Sequence, residues 1–401
     1  MAHKKKIIII SSSYPYGLKE TFLHNEVIYL SKYFDLEIFP VIKSSPDATP
    51  VQVPPNVVFH QPIVQNNYLN RLLIGIINRS PVGFYIGDLK MLFKSGGSLK
   101  RKLTEWLLSL LVFRTIFSSS AYRSICSSEA EILYFYWGGQ PARLYRKLNK
   151  KIFIRVHGSE VDIERHNGYI PVLKYKVVQQ ENIHYLPISF KAASMLNAVR
   201  PVYSTINRLG VFDLGINPLP PEEAPIRIVS CSNLISLKRV HLIIEALLSV
   251  NRPTEWVHFG DGPLFEEIKS LSSKLRHPIS VRLMGRVKNE DIMHFYRNTP
   301  VDLFVNVSEF EGVPVSIMEA FSFGIPCFAT NVGGTGEIVN ENNGCLVEKD
   351  FRISVLSSFI GDIRNRIDAK KIRENARLTW QQHCSALINY EELTRIFNQD
   401  S

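Results

Sequence analysis

The chain has 401 residues, a formal net charge of +10, 45% hydrophobic and 21% charged residues, which excludes a disordered or collagen-like chain and favours two globular domains. No run approaches the roughly 18 apolar residues of a membrane-spanning helix. The five cysteines are odd in number and scattered, without CxxC or Cys/His metal spacing, which fits a reducing cytosol.

In chain order, lysines at 4, 5 and 6 precede an apolar run at 7–10. That run is shorter than the ~7–15 residues of a signal peptide core, so residues 7–11 read as a buried strand. A helix is expected over 20–32, a strand over 36–41 and a loop over 44–58, followed by strands at 132–136, 152–156 and 185–187. Residues 208–225 hold Gly210, Gly215, Pro218, Pro220, Pro221 and Pro225 without apolar periodicity, and mark a boundary. The rhythm restarts with strands at 226–231, 255–259, 280–284, 303–306, 326–329 and 344–347. Helices are expected between them at 241–249, 264–275, 291–298 and 315–323, with a helical stretch over 353–399. Alternating strands and helices imply an α/β chain with parallel sheets. The expected organisation is two doubly wound Rossmann-like domains, 1–207 and 226–380, joined by the linker 208–225. A C-terminal helix at 381–401 can return to the first domain.

Charge is uneven. Residues 1–200 hold 26 Lys and Arg against 13 Asp and Glu, net +13, whereas residues 201–401 hold 21 against 24, net −3. Such asymmetry points to an anionic partner of the first half. Residues 71–118 mix apolar runs at 72–77 and 107–113 with Arg71, Arg79, Lys90, Lys94, Lys100, Arg101, Lys102 and Arg114, and with Trp106 interleaved. This pattern suits an amphipathic surface on an anionic membrane face. It equally suits two core helices with solvated basic faces. No nucleic-acid-binding signature is present.

There is no GxGxxG after the first strand and no GxxxxGK[ST]. The informative stretch is SEFEGVPVSIMEA, residues 308–320, which follows an apolar strand and opens a helix. Pro314 suits a first helical turn. Gly312 permits close backbone approach. The N–H groups over 312–315, through Gly312, Val313 and Val315, make an anion site with the helix dipole. Glu311 stands before the helix and Glu319 lies within it, a spacing at which two carboxylates can accept hydrogen bonds from separate sets of sugar hydroxyls. Read alone, this is a capped surface helix with two solvated glutamates. It gains weight from the Gly-rich turn at 332–339, VGGTGEIV.

The stretch EGVPVSIMEAFSFGIPCFATNVGGTGEIV resembles the retaining glycosyltransferases of the GT-B fold, family four, whose hallmark E-x7-E is matched by Glu311 and Glu319. The resemblance continues through SCSNLISLKRVHLIIEAL, HFGDGPLFEEI, LMGRV and NNGCLV, and more loosely through SYPYGLKETFLHNEV, YFYWG, RVHGSEVD and RLGV in the first half. It is close to bacterial capsular, exopolysaccharide and O-antigen (lipopolysaccharide) enzymes. It implies two Rossmann-like domains facing a central cleft, an N-terminal domain for the acceptor and a C-terminal domain for a nucleotide-sugar donor. Lys238 matches the lysine on the donor diphosphate. Where the family usually carries an arginine five residues earlier this chain has Asn233, with Arg239 the candidate replacement. Glu319 matches the ribose ligand and Glu311 the donor-sugar ligand. Val287 sits where backbone meets the base, and Gly312, Val313 and Pro314 line the donor site. His157 matches a histidine facing sugar and acceptor, and Gly17 a glycine near the phosphates. Outside that context His157 is a strand-end histidine and Lys238 a surface lysine. Glu20 and Glu26 either touch the acceptor or form an ordinary amphipathic helix face.

The function this implies is transfer of a sugar, of hexosyltransferase type and with retained configuration, from a UDP- or GDP-sugar to a glycan or lipid-linked acceptor in surface polysaccharide synthesis. No metal ion or bound cofactor is expected. The expected location is cytoplasmic, in peripheral contact with the anionic inner membrane. The rivals are a sugar-nucleotide epimerase or phosphorylase on the same fold, and a non-enzymatic two-domain sugar-binding protein.

Overall fold

A computed structural model describes residues 4–17, 20–64, 83–94, 96–139, 148–166, 169–170, 182–199, 202–365 and 369–399. The apolar run at 72–77, with Arg71 and Arg79, lies outside the described residues. The chain divides into two compact units, one of residues 1–208 with 390–401, the other of residues 209–389.

In the first unit the strands are β1 (Lys6–Ser11), β2 (Asp35–Pro40), β3 (Val58–Phe59), β4 (Ile132–Phe135), β5 (Lys151–Val156) and β6 (Ile183–Pro187). They form one sheet in the order β3-β2-β1-β4-β5-β6, with every pairing parallel. The unbroken isoleucines of β1 follow from this placement. A central parallel strand is covered on both faces, so alternation with polar residues gives way to a continuous apolar run, and Ile7 to Ile10 are all buried. Ile8, Ile10, Leu133, Phe135, Ile152 and Ile154 anchor the core. The helix α1 (Thr21–Leu30) follows β1.

The second unit repeats the plan. Its strands are β7 (Ile226–Cys231), β8 (Thr254–Phe259), β9 (Ile279–Leu283), β10 (Leu303–Asn306), β11 (Cys327–Thr330) and β12 (Gly344–Val347). Their order is β12-β11-β10-β7-β8-β9, again all parallel. Read from the other edge this is the same strand order as the first sheet, the doubly wound arrangement. Ile228, Trp256, Leu303, Val305 and Phe328 sit in its core.

The Pro-rich stretch expected as a linker packs within the second unit. Val211 N donates to Cys384 O at 2.8 Å, and Asn217 Nδ2 donates to the carbonyls of Tyr296 and Thr299 at 2.5 and 2.8 Å. From Tyr390 onward the last helix clusters with the first unit, where Phe397 meets Phe34, Tyr134 and Phe153. The two-residue edge strand β3 lies at the end of the stretch read as loop, too short to give a period.

Among the described residues after β3 are the helices α2 (Gly83–Lys94) and α3 (Leu99–Ser118). Here Lys102 departs from the expected basic surface. It is buried and its Nζ donates to Leu92 O at 2.8 Å. Lys100 and Arg101 are exposed, and so are Leu99, Leu103, Leu107 and Leu108. The buried side of α3 thus carries Lys102 and Ser109 beside Phe113 and Ile116, while leucines face solvent. No described helix is long and apolar enough to cross a membrane.

Candidate active site

In the second sheet β7 and β10 are neighbours, and the strand order reverses between them. In such sheets the ligand crevice opens beyond the carboxyl ends at this switch point. After β7 the chain makes a short turn, Ser236–Lys238, stopped by Arg239 at φ 47°. After β10 it runs through Glu311 to Pro314, which is the N-cap of the helix Val315–Ser322. That helix starts one residue later than a Pro in the first turn requires. Its first-turn N–H groups have no intrahelical acceptor, and the dipole there favours negative charge.

These two loops bring Lys238 and Glu311 together. Lys238 Nζ donates to Glu311 Oε1 at 2.6 Å, and the same oxygen accepts from Ser308 Oγ at 2.6 Å and Asn306 Nδ2 at 3.2 Å. The ammonium is thus held by a carboxylate whose own position is fixed by two further donors. Arg239 is committed elsewhere: its Nε donates to Val307 O at 2.8 Å and its Nη2 to Ser308 O at 3.4 Å. Those bonds hold the strand-end carbonyls, so Arg239 builds the site rather than presenting a replacement cation for Asn233, which is exposed on the β7 loop.

Glu319 lies on the helix Val315–Ser322 and is half-buried. Burial pushes its carboxyl up to about 7, opposed by a hydrogen bond from Asn289 Nδ2 at 2.7 Å. Asn289 opens the helix Asn289–Asn298, two residues after Val287 on the loop leaving β9. The structure therefore places the loop expected to meet the base beside the carboxylate expected to hold the ribose. The Cys231 thiol at the end of β7 feels both Glu319 and Lys238, and burial pushes it up to about 12. The Gly-rich turn after β11 closes on Glu311: Gly334 N donates to Gly312 O at 2.5 Å, and a Cβ on Gly333 (φ +57°) would stand 1.7 Å from Glu311 O. Only glycine allows that approach.

In the first unit His157 follows β5 and is buried. Its ring packs on Trp137, centroids 4.2 Å apart, with Tyr136 and Phe22 at 5.1 and 5.5 Å. Its Nε2 lies 2.9 Å from Tyr136 O. A carbonyl only accepts, so Nε2 carries the proton and Nδ1 keeps a lone pair. Burial first, and the Arg155 charge second, lower its pKa to about 3. It is neutral at physiological pH and can orient a hydroxyl but not supply a proton. Gly17 (φ +93°) is required sterically, since a Cβ there would meet Ser44 Oγ at 1.8 Å, and its N–H is spent on Thr49 O at 3.3 Å.

Glu20 and Glu26 are neither a solvated helix face nor free carboxylates. Both are buried. Glu26 Oε2 pairs with Arg155 at 3.0 Å and Oε1 accepts from Tyr134 Oη at 2.6 Å. Arg155 also donates to Asn207 O and Oδ1, at 2.8 and 2.9 Å. Sequence reasoning passed over Asn289, Asn306 and Ser308, which touch the two candidate carboxylates. Asn306 and Ser308 adjoin the motif, so their position was the available signal. Asn289 has none.

Residues 216–379 match the family model of the glycosyl transferases group 1. That match spans most of the second unit, and the chain has the GT-B fold. It is similar to the putative colanic acid biosynthesis glycosyltransferase WcaL of Escherichia coli, 27% identical over 216 residues, covering 50% of this chain and 53% of that protein. The chain thus spans about half the length of the first curated relatives it matches, or less. Among solved structures, sucrose-phosphate synthase from Thermosynechococcus elongatus superposes with a TM-score of 0.73 at 13% identity, covering 98% of this chain and 99% of that one. Anabaena HepE in complex with UDP and glucose gives a TM-score of 0.63 at 15% identity, with the same coverage. At such identities the structures speak for the GT-B fold alone.

Proposed function

We propose that the chain transfers a sugar of hexose type from a nucleotide-sugar donor to a glycan or lipid-linked acceptor, with retention of configuration, in surface polysaccharide synthesis. The observation that carries this reading is the grouping of Lys238, Glu311 and Glu319 beyond β7 and β10. The Lys238 ammonium, held beside the site by Glu311, neutralises charge developing on the departing diphosphate. Glu311 meets donor-sugar hydroxyls, and Glu319 accepts from the ribose, with the base along Val287. Lys238 and the N–H groups over 312–315 supply the stabilisation, so no divalent ion is required. His157 orients a sugar hydroxyl through Nδ1. UDP is the first donor nucleotide to test, since HepE was solved with it. The colanic acid role given to WcaL supports a polysaccharide acceptor. Incubation with a panel of UDP- and GDP-sugars, with and without chelator, scores nucleotide release, and NMR of the product reads the anomeric configuration. Donor turnover without an acceptor-linked product, or an inverted product, refutes the assignment.

The exposed leucines of α3 support peripheral docking of the first unit on the cytoplasmic face of an anionic membrane. Leu99, Leu103 and Leu107 recur every four residues on one helix face, with exposed Lys100 and Arg101 beside them. Apolar burial and ~1 kcal/mol per basic residue near anionic lipid act together in such a helix. Cosedimentation with anionic against neutral liposomes tests it.

A further inference from the structure

The first sheet has the same strand order as the second, so it has its own switch point, beyond the carboxyl ends of β1 and β4. Three successive backbone N–H groups converge there, those of Ser12, Ser13 and Tyr14. Successive N–H groups in a turn form an anion-binding concavity, the usual seat of a phosphate. Here it is filled by the chain itself. Glu20 Oε2 accepts from Ser13 N at 2.5 Å, Tyr14 N at 2.7 Å and Ser13 Oγ at 3.2 Å. Its Oε1 accepts from Ser12 N at 3.1 Å and from the Trp137 indole Nε1 at 2.5 Å.

Two features set this apart from an ordinary capping glutamate. Glu20 is the N-cap of α1, where a carboxylate normally accepts from the helix's own first N–H groups, yet its side chain makes no capping bond. It turns back to the preceding loop. It also draws in Trp137 from the loop after β4, so donors from both strands flanking the switch point end on one carboxylate. Glu20 is 2% exposed, but Ser12 at the rim of the cradle is exposed. In the second unit the loop after β7 presents Lys238 instead.

We infer that Glu20 is a built-in anion that closes the first unit's phosphate cradle and so restricts the donor diphosphate to the second unit. The assignment of the diphosphate rests on the proposed donor site, but the closed cradle does not. Its test reads phosphate binding and not transfer, so a failed transfer assay leaves it standing.

The test removes the carboxylate and offers an external anion. Glu20→Ala leaves three backbone N–H groups and one indole N–H without an acceptor. It is compared with the wild type, each in a Lys238→Ala background that weakens anion binding in the second unit. Inorganic phosphate is titrated against chloride at constant ionic strength. Phosphate should raise the melting temperature of Glu20→Ala/Lys238→Ala by ~3 °C or more beyond Lys238→Ala alone. Calorimetry should show one added phosphate site. A folded Glu20→Ala chain that responds to phosphate no more than its parent overturns the inference, as does a parent that already binds phosphate in its first unit. If Glu20→Ala does not fold in chloride, refolding in phosphate should recover it; failure of phosphate to do so counts equally against the cradle. Glu20→Gln, which fills the cradle with a neutral amide, should show no phosphate response.

Discussion

Replacing Glu319 by Gln should stabilise the empty protein and weaken nucleotide binding at once. The folded carboxyl sits at about 7, above its ordinary 4.5, because burial disfavours its charged form. Below pH 4.5 the group is protonated in both folded and unfolded chains and costs nothing. Between 4.5 and about 7 the unfolded chain ionises while the folded one resists, so stability is lost as pH rises and the loss levels off above 7. One pKa unit corresponds to ~1.4 kcal/mol, so the shift amounts to at most ~3.5 kcal/mol, and partial exposure reduces that to ~1–2 kcal/mol. Gln carries no such cost and keeps a partner for Asn289. Glu319→Gln should therefore melt ~2–6 °C higher than wild type at pH 8, with no difference near pH 4.5. Nucleotide affinity should fall ~10–100-fold, since hydrogen bonds to a charged acceptor are worth ~1.5–3 kcal/mol. Ribose hydroxyls favour the ionised form, so wild-type binding near neutral pH should release a proton, read by calorimetry in buffers of different ionisation enthalpy. A melting difference independent of pH would falsify the burial argument. Unchanged affinity removes Glu319 from the nucleotide site.

Lys238→Ala should lower kcat/KM by ~100-fold or more and Lys238→Arg should restore it only in part, because a planar fork replaces a point charge poorly; a fully active Ala variant refutes the role. Arg239→Ala should instead lower stability by ~1–3 kcal/mol, chiefly through the Val307 carbonyl that loses its Arg239 donor, so chemical denaturation separates the two residues, and a stable but inactive Arg239→Ala chain reverses the assignment. Gly333→Ala should impair donor binding and folding together, since its Cβ would displace the Glu311 carbonyl; wild-type stability and donor affinity in that variant contradict the close approach. Liposome binding should fall as ionic strength rises and the Debye length drops from ~30 Å at 0.01 M to ~8 Å at 0.15 M. Lys100→Gln/Arg101→Gln should weaken it further, whereas equal binding to neutral lipid at low salt ends the membrane reading.

The strands were legible because parallel strands buried on both faces leave unbroken apolar runs, as at Ile7 to Ile10, and because β7 and β10 end where such runs meet Cys231 and Asn306. Lys238, Glu311 and Glu319 were legible as a group only through a familiar motif, since their spacing alone fits a surface helix. Side-chain commitments were not legible. Nothing in LKRV tells that Lys238 points to Glu311 while Arg239 turns to carbonyls; the left-handed backbone at Arg239 decides it. Lys102 directly follows two exposed cations in sequence, Lys100 and Arg101, yet one helical position of 100° takes it to the buried side. Glu20 has the ordinary look of a helix-start carboxylate, and its partners come from six to eight residues back and from Trp137, far along the chain.

Among the described residues, no excess of positive charge gathers at the first unit's switch point. The crevice beyond β1 and β4 holds the Glu20 carboxylate and the rings of Trp137 and His157. Glu160, whose Oε1 accepts from His157 N at 2.8 Å, adds a second carboxyl there. Arg155 is close by but neutralised by Glu26, and Lys102 is spent on a carbonyl. A diphosphate would meet no free cation among these residues, whereas the aromatic-walled surroundings of His157 suit a sugar ring, which offers hydroxyls and apolar faces. Among the described residues, exposed Lys100 and Arg101 beside the solvent-facing leucines of α3 are where apolar and basic surface coincide. The proposed function assigns two tasks to different parts of the first unit: sugar recognition to the crevice, and attraction for an anionic surface to α3. Salt should therefore affect the second task much more than the first.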